Sequence, residues 1–182
     1  GCTMSVKEGM SKFGKFLSGM VMPNIGAFIA WGFLTALFTG SGWLPNEAFA
    51  QMISPMLSYL IPVLIAAQGG YLVGGDRGRI IGAIAVIGCI LGAPDYPMLM
   101  GAMAMGPFAG WVIKQFDRYM ENRMPSGFEM LIENFSLGIL GMLLAMLGYV
   151  AVGPIMSTIL VALTAGVRVL IDYSLMPLLA LF

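Results

Sequence analysis

The stretch MLIENFSLGILGMLLAMLGYVAV, residues 130–152, predicts the fold class of this protein. Apart from Glu133, Asn134 and Ser136 near its start, it consists almost entirely of apolar and small residues. A run of about 20 such residues, coiled as an α-helix, crosses the roughly 30 Å hydrocarbon layer of a bilayer. We therefore interpret residues 130–152 as a membrane-spanning helix.

The composition of the whole chain agrees with a membrane location. Hydrophobic residues make up 59% of the sequence and charged residues 10%, whereas soluble domains are about 25% charged. The charges cluster at residues 7–15, 76–79 and 114–133, with long apolar stretches between them. This pattern excludes a disordered chain, which is poor in apolar residues, and leaves too few polar residues to cover a large soluble core.

Several classes of function are also disfavoured. The formal net charge is zero, so the sequence has no basic footprint and we expect no nucleic-acid partner. The chain has no histidine, and Cys2 and Cys89 are far apart, so we expect no metal site, no catalytic residue and no cofactor.

Five further apolar segments occur, at residues 19–40, 52–73, 80–93, 97–113 and from Pro154 onward, with Pro154 predicted to mark a turn. We predict an all-α, polytopic transmembrane helical bundle of about six hydrophobic segments. Segments 80–93 and 97–113 are short, so re-entrant segments are the alternative to full crossings. Two kinds of small-residue pattern predict close contacts between helices. Glycines lie four apart at Gly78 and Gly82, at Gly88 and Gly92, and at Gly106 and Gly110, and a small-residue face on the fifth span comprises Gly138, Gly141, Ala145 and Gly148.

The N-terminal residues form a separate unit in this prediction. Residues 1–18 comprise a remnant, Gly1–Thr3, ahead of Met4, followed by an amphipathic helix lying on the cytoplasmic face of the membrane; residues 19–182 form the transmembrane scaffold. A simple cytoplasmic extension of the first span is the alternative. The helix alternates three lysines with an apolar face: Val6, Met10, Phe13, Phe16 and Leu17.

Lysine and arginine residues predict the orientation. They occur before the first span, at residues 74–79 and at residues 114–127, and are absent from residues 40–51 and 93–97. Because positive loops stay on the cytoplasmic side, the alternation predicts a cytoplasmic N-terminus.

Four polar residues in or beside the spans are candidate substrate contacts: Asn134, Glu133, Asp95 and Asn24. Structural roles are open for all but Asn134. Asn24 can bond locally around the break at Pro23, Asp95 can be a turn residue, and Glu133 can favour a helix N-terminus together with Glu129. Ser126 and Glu129 have the spacing of a capping box that would start the helix.

Long strings of the sequence resemble a known family. They are FGKFLSGMVMPNIGAFIAWGFLTALFT (13–39), GWLPNEA (42–48), GGYLVGGDRGR (69–79), MGPFAGWVIKQFDRY (105–119) and SGFEMLIENFSLGILGM (126–142). In this order they resemble the membrane (C) domain of the mannitol permeases, enzyme II of the bacterial phosphotransferase system, over nearly the whole chain.

The resemblance implies an inner-membrane protein that takes up mannitol or a related hexitol and phosphorylates it during entry. The phosphoryl group comes from phosphoenolpyruvate through a cysteine on a B domain. The C domain is similar to the glucose-superfamily sugar permeases, in which the first half is a scaffold that mediates dimerisation and the second half supplies most sugar contacts.

The chain ends within an apolar run, at Phe182. It is therefore predicted to be the N-terminal half of such a C domain: part of a hexitol transporter, a homodimer in the lipid bilayer, and not catalytic alone. The alternative is a membrane module for oligomerisation or partner binding, derived from such a permease.

Overall fold

The computed structural model describes residues 2–94, 98–121, 123 and 126–181. Helices are the only regular secondary structure in these ranges, which confirms the predicted all-α class. Eight α-helices occur there: α1 Cys2–Val21, α2 Ile25–Phe38, α3 Glu47–Ala50, α4 Ile53–Pro55, α5 Ile61–Gly92, α6 Leu99–Met120, α7 Glu129–Leu147 and α8 Gly153–Leu181. A 3₁₀-helix, Met22–Asn24, joins α1 to α2, and π-helices precede α5 (Met56–Leu60) and α8 (Gly148–Val152).

Three helical stretches in the described residues are long and apolar enough to cross a membrane: Val6–Phe38, Glu47–Gly92 and Glu129–Tyr173. The predicted number of six segments is therefore not confirmed. Each of the three stretches joins segments that the sequence separates, because the residues between them stay helical or nearly so.

The chain reverses direction inside α5, at Gly75. Gly75 has φ 72° and ψ −153°, a conformation that L side chains rarely adopt and that glycine adopts without strain. Gly70 and Gly78 touch, and so do Ala66 and Gly82. Residues 66 and 82 would lie about 24 Å apart in an uninterrupted helix, so these contacts require a helical hairpin. Within the predicted loop at residues 74–79, Gly75 alone makes the turn, and Arg77 lies on a helix.

Helix α6 packs between the two halves of the α5 hairpin. A methyl group added at Gly110 would approach the carbonyl oxygen of Gly70 to 2.6 Å, and one added at Gly78 would lie 3.3 Å from the Cα of Gly110. One helical turn away, Ala66, Gly82 and Gly106 meet in the same way. Three backbones thus converge in two layers of small residues. Lipid offers helices no hydrophobic reason to associate, so this close backbone packing is what holds them together.

Helix α7 packs against the second half of α5. Gly141 lies against Ile84, and methyl groups added at Gly88 and Gly92 would overlap or crowd the backbones of Ala145 and Tyr149. The predicted helix-contact face of α7 therefore forms, except at Gly138, where an added methyl group would meet open space.

Two local predictions are wrong. Helix α7 begins at Glu129 after Phe128, without a side-chain cap, so Ser126 and Glu129 do not form a capping box. Gly127 has φ 92°, which no first helical residue can have. Pro154 marks no turn either, because the π-helix Gly148–Val152 carries the chain into α8.

The helical run from Glu129 to Tyr173 has 45 residues, or about 67 Å at 1.5 Å per residue. This exceeds the roughly 40–45 Å thickness of a whole bilayer. Residues 161–173 of α8 are all exposed, so this helix extends away from the bundle.

Candidate functional site

The polar centre of the described structure lies at the Gly75 end of the bundle, where Arg77 joins three helices. Its guanidinium donates from Nε to Asp117 Oδ2 on α6 at 3.0 Å, and its Nη2 lies 2.9 Å from Asp117 Oδ1. Nη1 donates to the carbonyl oxygen of Glu133 on α7 at 2.8 Å, and Nη2 donates to Ser136 Oγ at 3.1 Å. Ser136 in turn donates to the Glu133 carbonyl at 3.0 Å.

In this arrangement the positive charge of Arg77 is paired with the negative charge of Asp117. The side chain of Arg77 is 22% exposed and that of Asp117 is 37% exposed, so the pair is only partly screened by solvent. Arginine binds a carboxylate through two parallel hydrogen bonds, which are among the stronger polar contacts in proteins. The geometry therefore suits an anchor that fixes the start of α7, and it offers no free acid or base.

The sequence did not identify Arg77, Asp117 or Ser136 as a site. Arg77 precedes Asp117 by 40 positions and Ser136 by 59, and no local pattern links such distant residues. Their only signal is that they are polar residues bordering apolar segments.

Glu133 and Asn134 lie next to each other near the start of α7, and both side chains are exposed. Only the backbone carbonyl of Glu133 takes part in the Arg77 centre. Asn134 lines an open groove of about 460 Å³ on the outward face of α7.

Asn24 lies elsewhere. Its Nδ2 donates to the carbonyl oxygens of Met20 at 2.9 Å and Leu64 at 3.1 Å, across the 3₁₀ break after Pro23. Leu64 lies ten residues before Gly74, about 15 Å along the helix axis, so Asn24 is distant from the Arg77 centre. Asp95 lies outside the described residues.

A groove of about 600 Å³ runs between α1, α6 and α8 and is lined by apolar side chains: Phe13, Phe16, Leu17, Met100, Met103, Ala104, Pro107, Met156 and Ile159. A sugar alcohol needs hydrogen-bonding partners when it leaves water. This groove therefore does not fit such a ligand.

The apolar helical stretches and the bundle packed on glycine define a polytopic membrane protein. The Phosphotransferase system, EIIC family matches residues 18–182. The chain belongs to this family.

Several curated relatives are similar to this chain over most of its length. The "PTS system mannitol-specific EIICBA component" of Escherichia coli (strain K12) is 52% identical over 177 residues, which is 97% of this chain and 28% of the relative. The "PTS system mannitol-specific cryptic EIICB component" of the same strain is 57% identical over 150 residues, 82% of this chain and 32% of the relative.

The "PTS system mannitol-specific EIICB component" of Geobacillus stearothermophilus is 50% identical over 173 residues, 95% of this chain and 36% of the relative. The chain thus spans about a third or less of these relatives' length. No solved structure matches it.

Proposed function

We propose that this chain is the scaffold and dimerisation half of the membrane domain in a mannitol-specific phosphotransferase permease. The observation that carries the proposal is the identity of 50–52% across 95–97% of the chain to proteins named for mannitol. The match extends through loops and helix ends as well as apolar spans, so hydrophobic composition alone does not account for it.

The packing of α5, α6 and α7 supports a scaffold role. Their backbones meet at glycine and alanine, so closely that a methyl group added at Gly70, Gly78 or Gly110 would overlap or crowd a neighbouring backbone. Interiors packed this closely transmit displacement as rigid bodies. A moving sugar site needs such a fixed body to move against.

The proposed partners follow from the same family. Mannitol or a related hexitol is the substrate of the complete permease, a B domain delivers the phosphoryl group, and the scaffold forms a homodimer in lipid. The names EIICB and EIICBA of the relatives support the B-domain partner.

The proposed location is the bacterial inner membrane with the N-terminus cytoplasmic. Arg77 and Asp117 contact each other, so the Gly75 turn and the end of α6 lie at one end of the bundle. Both regions carry positive charge, with Arg79 on α5 and Lys114 and Arg118 on α6, and positive charge favours the cytoplasmic side. Residues 1–18 are proposed to lie at the same membrane surface.

The contacts of mannitol with Asn134, Glu133 and Asp95 stay predictions, and for Asn24 we propose the alternative, a structural role through its hydrogen bonds to Met20 and Leu64. Glu133 and Asn134 have exposed side chains that are free to meet a ligand or another protein segment. Asn24 already uses both amide hydrogens, which leaves its Oδ1 as the only atom to offer to a hydroxyl.

A chimera tests the proposed function. The matching segment of the Escherichia coli EIICBA relative is replaced by this chain, and uptake of radiolabelled mannitol is measured in cells that lack other mannitol permeases. We expect uptake by the chimera, competition by unlabelled mannitol but not by glucose, and none by this chain alone. The relative with the segment deleted is the control.

A chimera that inserts into the membrane yet accumulates no mannitol would contradict the transport role and favour the alternative, a membrane module for oligomerisation. We do not expect the chain alone to support phosphoryl transfer to mannitol, because transfer needs a positioned acceptor and the second half of the membrane domain is proposed to supply most of the sugar contacts. Mannitol phosphate formed by the chain with the soluble carriers and a B domain would show that this assignment is wrong.

A further inference from the structure

The groove between α1, α6 and α8, called here the α1 groove, is too apolar for a sugar alcohol but suits another class of ligand. Its lining residues are all apolar, and three of them are methionines: Met100, Met103 and Met156. Methionine is flexible and polarisable, so methionine-rich surfaces adapt to ligands of variable shape. Phe13, in the α1 wall, is 64% exposed, so the groove opens to the surroundings of the bundle, which in a membrane protein are lipid.

The dimensions of the α1 groove favour a single acyl chain over a helix as its occupant. On α6 the groove extends from Met100 to Pro107, about 10 Å along the helix axis. A helix with its side chains is about 10–12 Å across, so 10 Å of its length takes up about 800–1,100 Å³. The groove has only about 600 Å³. A phospholipid acyl chain is far thinner, entirely apolar and abundant around a membrane-spanning bundle.

Two lysines on α1 lie beside the aromatic residues of the groove. Lys12 precedes Phe16 by four residues, so the two side chains are neighbours on one face of α1. Lys15 follows Lys12 by three residues and is its neighbour on the helix surface. Both lysines are exposed, and neither forms an ion pair with a residue in the described ranges, including Glu8 one turn before Lys12. Their positive charges are therefore available to the phosphate of a lipid.

We propose that the α1 groove binds an acyl chain of an anionic phospholipid whose headgroup phosphate is bound by Lys12 and Lys15. Lysines beside an apolar surface attract anionic headgroups, and burial of the acyl chain adds the hydrophobic contribution. The lipid fills the space between α1, α6 and α8 and fastens α1 to the bundle. The inference depends on the membrane location of the family and not on the proposed role in mannitol transport.

Photolabelling locates the lipid. The full chain is reconstituted in phosphatidylcholine vesicles with a small fraction of phosphatidylglycerol that carries a diazirine near the end of an acyl chain, and labelled residues are mapped by mass spectrometry. We expect a labelling yield at residues 13–17 and 100–107 at least tenfold above that at the exposed residues 161–173 of α8. Unlabelled phosphatidylglycerol should compete more strongly than added phosphatidylcholine, because the lysines favour the anionic headgroup.

Two substitutions test the two parts of the site, each with a matched control. Lys12→Gln should lower the labelling yield at least fivefold, whereas Lys7→Gln, which removes a charge about 140° around the same helix, should leave it within twofold. Ala104→Phe fills the groove and should lower the yield at least tenfold, whereas Ala165→Phe adds the same bulk at an exposed position on α8 and should not. Because Lys12 is exposed, its variant keeps the test valid if Ala104→Phe does not fold.

Each contrary result overturns a named part of the inference. Equal labelling of the groove and of residues 161–173 would show that lipid only solvates the bundle. An equal loss in Lys12→Gln and Lys7→Gln would remove the headgroup contact. The same mapping is repeated in the chimera described above: label in the groove of the isolated chain but not of the chimera would show that another protein segment occupies it, and the lipid site would be wrong. A chimera without mannitol uptake would contradict the proposed function and leave the lipid site standing.

Discussion

Arg77 and Asp117 form a two-pronged ion pair, with Nε–Oδ2 at 3.0 Å and Nη2–Oδ1 at 2.9 Å. The pair joins the residue two positions after the Gly75 turn to the last turns of α6. The same guanidinium holds the Glu133 carbonyl of α7. One side chain therefore connects all three helices at the end of the bundle where the charged residues gather.

The Arg77 anchor should stabilise the fold more than the exposed ion pair beside it. Asp117→Asn removes the charge that two guanidinium nitrogens meet, and we expect a loss of about 1–3 kcal/mol in the free energy of unfolding. Asp76→Asn is the matched control. Asp76 lies 3.2 Å from Arg79 with both side chains more than half exposed, and such pairs contribute about 0–1 kcal/mol. Unfolding in mixed micelles measures both, and an equal loss would contradict the anchor.

The glycine layers should tolerate no side chain. Gly110→Ala places a methyl group 2.6 Å from the carbonyl oxygen of Gly70 and 3.0 Å from its Cα, so one helix must move. Overpacking of this kind costs about 1–3 kcal/mol. Gly166→Ala on α8 is the control, because a methyl group there meets open space and alanine favours a helix by about 1 kcal/mol. Thermal unfolding in detergent should show a lower midpoint for Gly110→Ala only.

Asn24 should act on stability and not on mannitol affinity. Asn24→Ala removes hydrogen bonds to the carbonyls of Met20 and Leu64, which we expect to cost about 1–2 kcal/mol. In the chimera described above, the mannitol concentration for half-maximal uptake should stay within twofold of the unsubstituted value. Glu133→Gln in the same background is the comparison, since its side chain is exposed. A tenfold loss of affinity in Asn24→Ala would instead assign Asn24 to the sugar.

The orientation predicts labelling from opposite sides of the membrane. Single cysteines placed at Asn46, in the segment without Lys or Arg, and at Gln115, near the charged end of α6, should react with an impermeant thiol reagent in intact cells and in inverted vesicles respectively. The Cys-free chain gives the background. If both react from the same side, the assignment of the N-terminus to the cytoplasm is wrong.

The sequence by itself determined that this protein is a helical membrane protein, and the quoted strings determined the family. Burial in hydrocarbon requires long apolar runs whose backbone groups bond internally, so composition and spacing are enough to identify spanning helices. The spacing of four residues between Gly78 and Gly82 and between Gly106 and Gly110 also predicted that these glycine faces contact other helices. These properties depend on residues that are close together in the sequence, so short sequence patterns predict them.

The tertiary structure decided which residues meet. The predicted loop at residues 74–79 is a helical hairpin that turns at Gly75. Gly141 packs inside the bundle, whereas Gly138 lies on its outward surface. The tertiary structure also paired Arg77 with Asp117 and Glu133. A glycine on a helix suits either a neighbouring helix or an open surface, and an arginine can reach any carboxylate that the fold brings close. Only the placement of segments distant in sequence chooses between these options.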